Sequence, residues 1–74
     1  MANGTNDLKR KFGERIRRLR QLKNWKQVDL SVESGFGRVF LSNLENGKHE
    51  PKLGTIKALA DSFGITISQL MKGL

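Results

Sequence analysis

Arg38, Val39, Ser42 and Asn43 stand at the one-, three- and four-residue separations that gather side chains on one face of a helix. With Leu41 and Leu44 turned to a core, that face looks the opposite way. The Arg38 guanidinium suits guanine O6 and N7 as a bidentate donor, the Asn43 carboxamide suits adenine N6 and N7, Val39 suits a thymine methyl, and Ser42 has a shorter reach. A duplex major groove about 12 Å wide admits an α-helix, and one good bidentate pair discriminates by about 1–3 kcal/mol. The blander readings are a solvated surface for Arg38 and Asn43 and partial burial for Val39.

Other chemistries are excluded by composition. Cysteine is absent and His49 is the single histidine, which removes disulfides, thiolate metal sites, histidine-rich zinc sites and Ser-His or Cys-His triads. His49 reads as loop decoration, no cofactor or metal is implied, and no nucleophile with its base can be assembled, so the chain is not expected to be an enzyme. Fourteen Lys and Arg against seven Asp and Glu leave a net charge of +7, which calls for an anionic partner: nucleic acid, an acidic membrane or an acidic protein. Residues 1–7 lack the basic start and apolar stretch of a signal peptide, and no apolar run is long enough to span a bilayer, so a soluble intracellular protein is expected.

The elements that position these residues follow from periodicity. At 74 residues, 36% of them hydrophobic, the chain forms one small domain, with residues 1–6 a flexible leader and 7–74 the folded part. Leu8, Phe12, Ile16 and Leu19 make the stripe of a helix over 7–24, ringed by Lys9, Arg10, Lys11, Arg15, Arg17, Arg18, Arg20 and Lys23, with Glu14 placed to pair with Arg10 or Arg18. Gly13 inside it implies a close helix contact or a tolerated defect. Three apolar pairs, Trp25/Leu30, Phe36/Leu41 and Ile65/Leu70, share the spacing of a hydrophobic staple, and Thr66 with Gln69 adds a capping box. They predict helices over 27–34, 38–46 and 67–72. Leu53, Ile56, Leu59, Ala60 and Phe63 supply another stripe ending before Gly64. The expected fold class is all-α with five helices, in which Gly35-Phe36-Gly37 joins the second and third as a helix-turn-helix.

Phe12 to Arg20, Gln27, Leu30, Ser31, Gly35, the run Leu41 to Lys48, and Pro51, Leu53, Ile56, Ala60 and Leu70 together resemble the Cro/phage-repressor, or Xre, family. Lys26, Gly37 and Gly54 depart from its usual helix-start residues. The resemblance implies a compact lambda-repressor-like domain and a regulator of transcription, similar to phage repressors, restriction-modification controller proteins or antitoxins. It assigns Gln27 to a backbone phosphate at the start of the second helix, where free N–H groups already favour an anion. Asn46 and Lys48 resemble a second phosphate clamp, and Arg20 with Glu45 a partly buried ion pair. The remaining basic residues of the first helix read mainly as a solvated face.

Ile65, Ile67, Leu70, Met71 and Leu74 exceed what one short helix buries. They are expected to form a homodimer seam, the alternative being that they close the monomer's core. Two-fold pairing sets the third helices about 34 Å apart and requires an inverted-repeat operator on double-stranded DNA. With no residues left for an effector domain, control is expected through concentration, cooperativity or a protein partner, and the resemblance implies a prokaryotic or phage-encoded cytoplasmic setting. A second reading is an interaction module such as an antitoxin that masks a toxin. A third lays the first helix on a membrane through Phe12, Ile16 and Leu19.

Overall fold

The staple residues do what their spacing requires. In a computed structural model, which describes the backbone of residues 4–74 and the side chains of residues 7–74, five α-helices form: α1 (Gly4–Leu22), α2 (Gln27–Ser34), α3 (Arg38–Glu45), α4 (Leu53–Phe63) and α5 (Ile67–Leu70). Leu30, Leu41 and Leu70 are fully buried, and Trp25, Phe36 and Ile65 pack half-buried against the same core. Pro51 and Ile56 share the same staple spacing across the start of α4, where Lys52 is the N-cap, and line one cleft. At α5 the capping box is complete: Gln69 N–H donates to Thr66 Oγ1 at 3.0 Å, and Thr66 N–H to Gln69 Oε1 at 2.9 Å. At α2 only half of one exists, since the Lys26 side chain has no acceptor while its backbone N–H donates to Asp29 Oδ2 at 2.7 Å.

Helix α1 begins at Gly4, inside the expected leader, with Asp7 favourably placed in its first turn; residues 1–3 lie outside the described residues. It stops at Leu22 because Asn24 takes a left-handed conformation (φ 59°), after which Trp25 N–H reaches back to the Arg20 carbonyl. The core comprises Phe12, Ile16, Leu30, Leu41, Leu44, Leu59, Ala60, Phe63 and Leu70, with Trp25 stacked on Phe63 at 5.8 Å between ring centroids. Each of these side chains other than Ala60 contributes roughly 1.5–3 kcal/mol over exposure.

Three expectations are corrected. Leu53 is 74% exposed because it occupies the first turn of α4, whose core face starts only at Ile56. Leu8 is 46% exposed, at the rim of a cleft it lines with Phe12, Ile56 and Met71. The membrane-surface reading of α1 fails because Phe12 and Ile16 are buried inside the domain.

Gly13 is the close helix contact. A Cβ there would lie 2.7 Å from the carbonyl oxygen of Glu45 and nearer still to that of Leu44, so α1 and the end of α3 touch backbone to backbone.

Candidate nucleic-acid interface

The turn that aims α3 is held by its own polar atoms. Gly35 adopts φ 80°, a conformation that disfavours any side chain, and its N–H donates to the Ser31 carbonyl at 2.9 Å. Ser34 Oγ bonds the Leu30 carbonyl and accepts from Phe36 N–H. The Ser31 hydroxyl donates to the Phe36 carbonyl. Leu41 and Leu44 then anchor the inner face of α3, and its outer face carries the residues singled out by periodicity.

Arg38 and Val39 are exposed, Val39 at 77%, while Ser42 and Asn43 are half-buried. Partial burial of Val39 is thereby ruled out. Arg38, Val39 and Ser42 share a shallow hollow of about 310 Å³ with Gln27, so the opening residue of α2 stands beside the outer ridge of α3. Asn43 lies further along α3, and its carbonyl accepts the Lys48 N–H at 2.9 Å, which fixes the loop bearing that exposed lysine.

Glu45 organises the flank. Its side chain is fully buried and accepts from Arg20 Nε (2.7 Å) and Nη2 (3.0 Å), Gln27 Nε2 (3.1 Å) and Arg17 Nε (3.4 Å). Arg20 also donates to the Trp25 carbonyl at 2.8 Å. Burial by itself raises the Glu45 pKa, but the hydrogen bonds from Arg20, Gln27 and Arg17 together with the Arg20 charge outweigh it and hold the carboxyl below its usual value. Gln27 therefore spends one amide N–H on Glu45 and keeps the other. Arg17 extends the network, donating from Nη2 to Asn46 Oδ1 at 2.8 Å.

Sequence reasoning missed the roles of Arg15 and Arg17. Arg15 grips the end of α5, donating to the carbonyls of Leu70 (3.0 Å) and Gln69 (2.8 Å). Arg17 lies three residues before Arg20, and that spacing signals that both address Glu45. Glu14 pairs with Arg10, which also binds Asp7, and Lys11 binds Asp7 at 3.3 Å. Part of the positive charge of α1 is thus compensated internally.

In the expected seam, Leu70 is corrected: it is 0% exposed and belongs to the monomer core. Ile65, Ile67 and Met71 are half-buried against that core, and Leu74 is 37% exposed.

This architecture has known counterparts. Residues 16–70 match the family model described as helix-turn-helix. The chain belongs to the helix-turn-helix family. Among curated relatives, this helix-turn-helix protein is 36% identical over 64 residues to the HTH-type transcriptional regulator DdrOP3 of Deinococcus deserti, covering 86% of this chain and 50% of that protein. It is 34% identical to the control protein C.MunI of a Mycoplasma species, covering 93% of this chain and 95% of that one. The crystal structure of the restriction-modification controller protein C.AhdI from Aeromonas hydrophila superposes with a TM-score of 0.84 at 33% identity, over 93% of this chain and 99% of that one. The chain spans half the length of the Deinococcus relative and nearly all of the two controllers. The relatives carry the names of transcriptional regulators and control proteins, which supports a DNA-binding regulator and favours regulation over the masking of a toxin. Among the described residues no helix is long and apolar enough to cross a membrane.

Proposed function

We propose that the protein acts as a homodimer on an inverted-repeat operator in cytoplasmic DNA, reading bases with Arg38, Val39, Ser42 and Asn43 and holding phosphates with Gln27, Asn46 and Lys48. The observation that carries this reading is the outer ridge of α3, where an exposed arginine and an exposed valine sit beside Gln27 in one hollow. Only a partner that enters the hollow meets hydrogen-bond donors and an apolar contact at once, as a base edge and a thymine methyl require. The flanking amides and Lys48 then grip the backbone, which supplies affinity and register.

The dimer is supported by the partly exposed apolar side chains of Ile65, Ile67, Met71 and Leu74, which cluster at one end of the chain. A protomer measuring 38 × 25 × 22 Å, paired with a second, is of the right size to set two α3 helices about 34 Å apart, one turn of DNA. Among stand-alone regulators, the controller of a restriction-modification system is the best supported type, given the near full-length likeness to C.AhdI and C.MunI.

Selection from a random duplex library at near-physiological salt tests the reading. The expected result is an enriched inverted repeat with half-sites about one turn apart. Salt-sensitive binding with no enriched sequence would overturn it, leaving only the basic charge at work.

A further inference from the structure

We infer that Arg17 is a positioning residue for the DNA backbone: it turns the Asn46 carboxamide so that its nitrogen, not its oxygen, is the end offered to a phosphate. The inference rests on the reading of Asn46 as a phosphate contact. A carboxamide has an accepting and a donating end of nearly equal size, and only the donating end attracts a phosphate. On an exposed side chain such as Asn46 nothing intrinsic selects between the two. Arg17 Nη2 does so by donating to Oδ1 at 2.8 Å, and among the described residues the Asn46 nitrogen has no partner.

Arg17 is itself held. Its Nε faces Glu45 Oε1 at 3.4 Å, and that carboxylate is clamped by Arg20 at 2.7 Å. The positive charge of Arg17 is partly offset by a carboxylate it shares with Arg20, and its fork serves two acceptors at once, one for anchorage and one for orientation. Gln27 bonds the same carboxylate oxygen at 3.1 Å, so the amide opening α2 and the amide capping the end of α3 both take their orientation from one buried group. Loss of Arg17 leaves Glu45 bound to Arg20 and Gln27, so the fold survives the substitution.

The test is a double-mutant cycle on the selected operator and on a scrambled duplex across a range of salt, using Arg17→Met, Asn46→Ala and the double variant, with thermal unfolding as control. Arg17→Met and Asn46→Ala are each expected to weaken both duplexes by about tenfold, the double variant to be no weaker than Asn46→Ala, and the salt slope to stay unchanged in Arg17→Met. Arg17→Lys keeps the charge beside Glu45 without the planar fork and is expected to show the same loss at unchanged thermal stability. Additive losses with a slope lowered by about one would mean that Arg17 touches a phosphate itself, and full binding by Arg17→Met would remove its role; either result overturns the inference while Asn46 stands. An Asn46→Ala variant that binds as wild type sinks the parent reading of Asn46 instead.

Discussion

Glu45 shows how one buried residue ties stability to recognition. Its carboxyl titrates below its usual value in the folded protein, so the stability it contributes is complete above the unfolded-state pKa of about 4.3 and is lost as pH falls through the lower folded-state value. Denaturant midpoints are expected to decline below about pH 5, and Glu45→Gln to flatten that decline. The same variant leaves Arg20, whose side chain is only 12% exposed, without its counter-charge, for an expected loss of about 3 kcal/mol by chemical denaturation. Arg38 and Lys48 separate in a different assay. Arg38→Ala should cost about 1–3 kcal/mol and relax preference at one base position, whereas Lys48→Ala should weaken all sequences alike and lower the salt slope by about one. Parallel losses on every sequence for both would remove Arg38 from base reading.

Among the elements, periodicity made the reading face of α3 legible, since Leu41 and Leu44 leave only one outward side. Staple spacing likewise marked three helix starts. The start of α4 was harder to see because Lys52 and Gly54 carry no capping signal, and Leu53 keeps the apolar stripe while lying a turn before the buried face. Arg17 and Asn46 were illegible as a pair because their meeting depends on how α1 crosses α3. Gly13 governs that crossing. In an isolated helix Gly→Ala gains about 1 kcal/mol, but here the methyl group meets the Leu44 and Glu45 carbonyls, so Gly13→Ala is expected to destabilise by about 1–3 kcal/mol. A rise in melting temperature for that variant would contradict the backbone contact.

For the molecule as a whole, the C-terminal apolar cluster divides into a core part and a surface part, a division that composition alone could not make. Leu70 belongs to the core, so Leu70→Ala should cost about 2–5 kcal/mol in the monomer. Leu74 offers surface, so in the proposed dimer Leu74→Asp is expected to halve the sedimenting mass and weaken binding to the inverted repeat while each protomer stays folded. An unchanged mass would remove Leu74 from the proposed seam, and a wild-type mass of one protomer would overturn the dimer. The backbone-on-backbone seat of α3 at Gly13 has a mechanical consequence for the DNA. With no layer of pliable side chains between α1 and the end of α3, the reading helix has little room to tilt, and a half-site presented at the wrong angle must be met by curvature of the duplex. In the proposed dimer on its inverted repeat, central base pairs touched by neither protomer are then expected to influence affinity through their stiffness, with pyrimidine–purine steps there favouring the complex.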